Sequence, residues 1–322
     1  MVRSFLYLSA ADVQRCGLTM RQVIHLVELA LSEHGHGRSE MPPKLGLHPQ
    51  PGSLMHAMPA YVPAAAAAGV KWVTAFPENR RRGLPAVSGT LLLNDPETGL
   101  PQAIVDATWI TAVRTGASAA VAAKHLGPPD AASLAVIGPG VVGRAAVAAL
   151  REVLPKLTTV LAYAPRRAAV ELFAAEVETQ QGIKVEAAAS AEAAAGSEIV
   201  ITAAPWPRAA GASRLAAGAL NNTSFCCALD LDSTIPAAAA RNAGRFFADD
   251  VLTFESHRQH GYFENWPAPA KLAALVARGG EQRRQGEQVI CANLGLGIYD
   301  VVVGRAVLEL ARERNIGVEL PL

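Results

Sequence analysis

The sequence predicts an α/β protein in which a doubly wound, parallel-sheet nucleotide domain is joined to a second half built largely on antiparallel strands. Three observations carry that reading. Residues 134–144 run Leu-Ala-Val-Ile-Gly-Pro-Gly-Val-Val-Gly-Arg, a β-branched apolar stretch that breaks into Gly138, Gly140 and Gly143 and then into an alanine-rich helical segment. From about residue 130 to 252, short apolar strands alternate with helical segments, the pattern of a parallel sheet covered on both faces. The 322 residues exceed the usual size of a single core, so two domains are expected.

The first half begins with a helix over 20–34, followed by turn-rich strands over 53–61, 69–76 and 88–94. Asp95-Pro96-Glu97-Thr98-Gly99 is turn chemistry between the apolar runs 90–93 and 102–106, and predicts a hairpin. Residues 111–126, alanine-rich with Val113, Ala117 and Val121 at helical spacing, carry the chain into the nucleotide domain. There the glycine turn leads into a helix over 144–153, a strand at 158–163 and a helix over 168–178. A strand at 183–187, a short helix at 191–196 and strands at 198–203, 224–229 and 245–248 complete the alternation. Residues 294–315 regain the helical period and could fold back on either domain. The polar and aromatic segment 256–266 reads as a surface loop, with a mobile lid as the alternative.

Composition excludes several classes. Lys plus Arg (29) nearly balance Asp plus Glu (28), so neither a nucleic acid nor a membrane surface is expected as a partner recruited by charge. Cys16, Cys226, Cys227 and Cys291 lack paired metal spacing, as do His48, His56, His257 and His260, so no metal site is expected. Free thiols in a reducing compartment are the simplest account of the cysteines. The N-terminal apolar stretch reads as too short for a signal peptide and no run reads as apolar enough to span a bilayer, so a cytoplasmic location is expected.

The glycine run has a specific physical meaning. Gly138 permits a tight turn out of a strand, Gly140 lets backbone approach a pyrophosphate, and Gly143 lets helix and strand pack closely. The phosphates would then rest on a helix N-terminus, where free N–H groups and the positive dipole end favour an anion. In an NAD site the next strand usually ends in Asp or Glu, which holds the ribose hydroxyls. Here Ala164 is followed by Pro165, Arg166 and Arg167, whose guanidinium groups suit a 2′-phosphate. NADP(H) is therefore favoured, with NAD(H) as the alternative, on which the two arginines are only a solvated helix start.

Four segments outside the nucleotide domain carry candidate chemistry. Met41-Pro42-Pro43-Lys44 sets a cation after a stiff turn, and His56-Ala57-Met58-Pro59 sets a titratable ring near a strand end. Lys71 lies in the apolar strand Gly69-Val70-Lys71-Trp72-Val73, so its ammonium needs an anionic partner. Arg114, in Thr111-Ala112-Val113-Arg114-Thr115-Gly116-Ala117, has small neighbours that leave room for a ligand. Each cation alone could be a structural ion pair. Together, beside a nicotinamide site, they point to the carboxylate of an amino or keto acid.

The run Lys71-Trp72-Val73, Phe76-Pro77-Glu78-Asn79, Leu93-Asn94-Asp95, Thr98-Gly99, Ile104-Val105-Asp106 and Arg114-Thr115-Gly116-Ala117 resembles the ornithine cyclodeaminase and mu-crystallin family. So does the later order Gly138-Pro139-Gly140-Val141-Val142-Gly143, Ile199-Val200-Ile201-Thr202, Leu229-Asp230, Ala248-Asp249-Asp250 and Asn293-Leu294-Gly295 through to Asp300. The resemblance implies a homodimer, with a Rossmann domain (127–299) inserted into an α+β substrate and dimerisation domain (1–126 plus 300–322). By position it implies Lys71 and Asp230 as catalytic groups and Lys44, His56, Lys71 and Arg114 around the substrate. It further implies Arg114, Thr115, Gly138, Gly140, Val141, Val142, Gly143, Arg166, Thr202, Ala203 and Asp230 around the cofactor.

Two departures bear on the substrate. His56 stands where an ornithine cyclodeaminase is expected to carry a glutamate for the distal amine, and Leu231-Asp232-Ser233-Thr234 replaces the family's Pro-Gly-Lys after Asp230. An imidazole is a poorer partner for an ammonium than a carboxylate is. Asp232 reads as a helix N-cap or a second acid. The expected activity is hydride transfer at the C–N bond of a small amino or imino acid, by a dehydrogenase or ketimine reductase. The alternatives are a redox-neutral cyclodeaminase that keeps its cofactor bound, and a crystallin-like NADPH binder without turnover.

Overall fold

The computed structural model describes residues 4–205, 215–281, 283–284 and 286–322. The chain divides into two compact units, Met1–Arg114 with Leu296–Leu322, and Thr115–Gly295. One boundary, at 114/115, falls inside the helix Thr108–Leu126, and the other, at 295/296, just before the helix Gly297–Glu313.

In chain order the first unit holds β1 (Ser4–Leu8), α1 (Ala10–Arg15), α2 (Met20–Gly35), β2 (Leu45–Leu47), β3 (Leu54–Val62), β4 (Ala67–Ala75), β5 (Val87–Asn94), β6 (Pro101–Asp106) and the start of α3 (Thr108–Leu126). The second holds the rest of α3, then β7 (Ser133–Ile137), α4 (Val141–Val153), β8 (Thr159–Tyr163), α5 (Arg167–Gln181), β9 (Lys184–Ala187), α6 (Ala191–Ala195) and β10 (Ile199–Thr202). It continues through β11 (Phe225–Ala228), α7 (Ala237–Asn242), β12 (Arg245–Ala248), α8 (Val251–Gln259), β13 (Ala270–Lys271), α9 (Leu272–Ala277) and β14 (Val289–Ala292). The chain then returns to the first unit as α10 (Gly297–Glu313) and β15 (Val318–Pro321).

Unit one is a seven-stranded sheet ordered β15-β1-β6-β5-β4-β3-β2. The hairpins β3/β4, β4/β5 and β5/β6 are antiparallel, but β1 pairs parallel with β6, so this half is mixed rather than wholly antiparallel. Period-two burial puts Leu54, Met58, Ala60 and Val62 of β3, Lys71 of β4, and Leu91 and Leu93 of β5 on the covered face. Helix α10 lies on that face. Gly304 permits the approach, because a Cβ there would stand about 2.1 Å from a methyl of Leu91.

Unit two is an eight-stranded parallel sheet ordered β13-β12-β14-β11-β10-β7-β8-β9. The order runs outward from β7 in both directions, through β8 on one side and β10 on the other, so the topological switch point lies between β7 and β10. The run β9-β8-β7-β10-β11 followed by β14 is the doubly wound, Rossmann-type arrangement. Every residue of β10, β11 and β14 is buried, as strands covered on both faces require.

The segment 256–266 is not a surface loop. Its first residues belong to α8, and Phe263 and Trp266 are buried in an aromatic cluster with Phe246 and Phe254. Its polar character is spent on the backbone, with Arg258 donating to the carbonyls of Trp266 and Pro267. Nor is Asp232 a helix N-cap: α7 starts at Ala237 with Pro236 as its cap, and Asp232 Oδ2 instead accepts the Phe263 N–H at 3.1 Å.

Candidate active site

Gly138 ends β7 with φ +95°, a left-handed conformation that disfavours any side chain. A Cβ there would meet the Ala203 carbonyl at 2.4 Å, so the turn is pressed against the end of β10. Gly138 N–H donates to the Tyr163 carbonyl and Ala203 N–H to the Ile137 carbonyl, which fixes the loop between its two neighbouring strands. A Cβ on Gly143 would stand 2.9 Å from Val136 Cγ1, so that glycine sets the close packing of α4 on β7. Gly140 differs: it caps α4 with extended backbone, no side chain bonds to the cap, and nothing lies within 4 Å of where its Cβ would be. An open space at the N-terminus of a thirteen-residue helix fits a pyrophosphate. Val141 beside it is 60 % exposed, an apolar side chain at the mouth of that space.

At the end of β8, Ala164 and the exposed Arg166 stand where a ribose-binding carboxylate is usual. Arg167 is engaged by Glu171 one turn along α5, whereas Arg166 stands at the N-cap of α5 without a side-chain hydrogen bond to the cap.

Asp230 follows β11 and is 2 % exposed. Its Oδ1 accepts from Thr202 Oγ1 at 2.6 Å, and its Oδ2 from the Ala204 N–H at 3.0 Å and Thr234 Oγ1 at 2.8 Å. Burial pushes its pKa up to about 6, against the pull of those three donors. The next residue, Leu231, has φ +57°, a strained conformation for a branched side chain beside a candidate catalytic group. Thr202 and Ala203 therefore act together, one holding Asp230 and the other closing on Gly138. Within α3, Gly116 permits close packing on α4, since a Cβ there would meet the Ala145 carbonyl carbon at 2.4 Å.

In unit one the candidate cations converge. Lys71 is fully buried, and its ammonium lies 2.7 Å from Asp300 Oδ1 and 3.4 Å from Thr111 Oγ1. Arg114, 6 % exposed, donates from Nε to the same Asp300 oxygen at 3.0 Å. Burial first, then the charges of Arg114 and Lys44, bring the Lys71 pKa down to about 7, with Asp300 opposing them. His56 pairs with Val73 and Met58 with Lys71, so His56 stands on the same sheet face two residues from the lysine. Lys71 and Arg114 thus share one carboxylate oxygen, and the charge of Lys44 also acts on Lys71, so cations outnumber Asp300 around that oxygen.

Sequence reasoning missed Asp300, the anion that the Lys71 strand demands. The signal was present: an acid inside Ile298-Tyr299-Asp300-Val301-Val302-Val303 cannot stay buried unpaired. Thr111, Ala204 and Thr234 were also missed as partners of the charged groups. Among the described residues no group of three or more His, Cys, Asp or Glu is placed to hold a metal ion. Nor is any described helix long and apolar enough to cross a membrane.

A doubly wound nucleotide unit inserted in sequence into a mixed-sheet unit with a buried cation cluster is the architecture of a dinucleotide-dependent enzyme of small-molecule metabolism. The chain belongs to the ornithine cyclodeaminase/mu-crystallin family, whose model matches residues 5–315. It is 30 % identical over 315 residues to the alanine dehydrogenase of Archaeoglobus fulgidus, covering 93 % of each chain. A 143-residue stretch is 43 % identical to the nodulation efficiency protein NfeD of Rhizobium meliloti but covers only 45 % of that protein. Among solved structures, Δ1-pyrroline-2-carboxylate reductase of Thermococcus litoralis in complex with NADH and L-proline superposes with a TM-score of 0.86 at 28 % identity, over 98 % of this chain and 99 % of that one. An archaeal alanine dehydrogenase dimer with bound NAD gives 0.85 at 26 % identity, over 99 % and 100 %.

Proposed function

We propose that the protein is a nicotinamide-dependent oxidoreductase acting on the C–N bond of a small amino or imino acid. The observation that carries this is the Lys71–Asp300–Arg114 cluster, a buried site in which two cations share one carboxylate oxygen, in a chain that also holds an open helix N-terminus at Gly140. Full-length relatives that act as an alanine dehydrogenase and a pyrroline-2-carboxylate reductase support it.

The residues divide the work. Gly138, Gly140, Val141, Val142 and Gly143 hold the pyrophosphate, Thr115, Thr202 and Ala203 line the nicotinamide end, and Arg166 takes the 2′-phosphate on the ribose. Ala164 and Arg166 support NADP(H) over NAD(H), although the structural neighbours hold NAD or NADH. When bound, the cofactor supplies or accepts a hydride at the substrate carbon bearing nitrogen. Arg114 binds the substrate carboxylate as a planar fork and Lys44 adds charge to that end. Lys71, with a proton affinity near neutrality, gives a proton to the imine nitrogen in reduction and takes it back in oxidation. Asp230 accepts the proton of a water or of the substrate nitrogen, which its value of about 6 allows above that pH. His56 on the face of Lys71 suits an uncharged or hydroxylated side chain rather than a distal ammonium, which argues against an ornithine-type substrate.

On this reading residues 1–126 with 300–322 serve the substrate and dimerisation, 127–299 serve the cofactor, and the protein works as a cytoplasmic homodimer. The dimeric archaeal neighbour supports the assembly. The test is to incubate the protein with NADPH or NADH and a panel of cyclic and acyclic imino acids, following cofactor absorbance. Oxidation with at least one imino acid, faster with NADPH, is expected; no oxidation with any would sink the reading.

A further inference from the structure

Asp300 is fully buried in the first turn of α10, where the positive end of the helix dipole favours a carboxylate. Only one of its oxygens is used. Oδ1 takes both the Lys71 ammonium at 2.7 Å and the Arg114 Nε at 3.0 Å, and Oδ2 has no hydrogen-bond partner. A buried carboxylate that served packing alone would satisfy both oxygens or be replaced by an apolar side chain. Because Nε is held by that oxygen, Asp300 sets the orientation of the planar guanidinium and with it the direction of its terminal amines.

We propose, resting on the functional reading above, that Asp300 is a positioning residue. Its single oxygen sets Lys71 and Arg114 in register, so that the fork faces the substrate carboxylate while the ammonium stays charged beside the imine. The charged or titratable groups around Lys71 are Asp300 from α10, Arg114 from α3, Lys44 from the segment before β2, and His56 on the same face of β3. Of these Asp300 alone raises the proton affinity of the lysine by its charge; Arg114 and Lys44 lower it.

The experiment compares wild type, Asp300→Asn and Asp300→Glu in imine reduction across pH, with thermal melts of each variant. Wild-type activity falls as pH rises through the Lys71 value. In Asp300→Asn that limb moves at least one pH unit lower, and kcat/KM at neutral pH drops about 100-fold. Asp300→Glu keeps the charge but shifts the oxygen, so its limb stays near that of wild type while KM for the imino acid rises about tenfold. A limb unmoved in Asp300→Asn overturns the proposal even if activity or melting temperature falls, because packing alone explains such a loss. If Asp300→Asn does not fold, Asp300→Glu decides: an unchanged KM overturns the proposal. Wild-type protein that oxidises no reduced cofactor defeats the functional reading, whereas wild-type turnover with an unmoved limb defeats only the role of Asp300.

Discussion

Thr202 Oγ1 donates to Asp230 Oδ1 at 2.6 Å, and neither side chain is more than 2 % exposed. The bond does two things. It stabilises the ionised carboxylate and it ties the end of β10 to the segment after β11. Replacing Thr202 with Val removes the donor at nearly constant volume, so the Asp230 pKa rises further above about 6. The acid limb of the pH–rate profile is expected to move up with it. A limb that stays in place would separate Asp230 from the titration that controls turnover.

Asp230→Asn is a harsher change. An amide cannot accept all three donors that now converge on the carboxylate, so the variant loses about 1–3 kcal/mol of stability as well as turnover. Denaturant melts read the first loss, and rates, expected to fall about 100- to 10,000-fold, read the second. Cofactor affinity, measured by fluorescence, should change little.

Lys71 makes stability depend on pH in a definite direction. Its folded value, about 7, lies below the ordinary 10.5, so between these limits the unfolded chain binds more protons than the native one. Stability contributed through this group therefore rises as pH increases from about 7 toward 10.5. Lys71→Met should remove that slope and abolish imine reduction. Denaturant midpoints of both proteins at pH 7 and pH 9 check it, and an equal pH slope in both would refute the assignment.

The glycines separate by role. Gly138→Ala forces a Cβ into the Ala203 carbonyl at 2.4 Å with φ +95°, so poor folding is expected. Gly140→Val meets open space, so the protein should fold with a near-normal melting temperature yet bind the cofactor at least tenfold more weakly. Thermal shift with and without NADPH distinguishes the two outcomes.

Arg166→Ala should weaken NADPH by about tenfold or more and leave NADH nearly unchanged, as expected for loss of one charge-assisted contact to a phosphate. Equal losses for both cofactors would make Arg166 a general phosphate contact instead.

What the sequence disclosed followed from local chemistry. The glycine run, the Asp95–Gly99 turn and the alternating strands of the first half are written in neighbouring residues, and the structure places them within a residue or two. Strand β14 was not legible: four apolar residues after a polar, arginine- and glutamine-rich stretch carry little pattern, and only the fold inserts them between β11 and β12. The segment 256–266 misled because its polar residues cap backbone while Phe263 and Trp266 turn inward, a division that composition cannot show. For the site, Lys71 announced that it needed an anion, but which acid supplies it depends on α10 crossing the sheet 229 residues later in the chain, from 71 to 300. Long-range pairings of this kind lie beyond any local window.

The most direct test follows the cofactor during turnover. With NADPH and an imino acid that the protein accepts, absorbance of the reduced cofactor should fall in step with formation of the amino acid, one for one. Ammonia release from an amino acid with no net change in that absorbance would contradict the central claim and show instead a redox-neutral deamination.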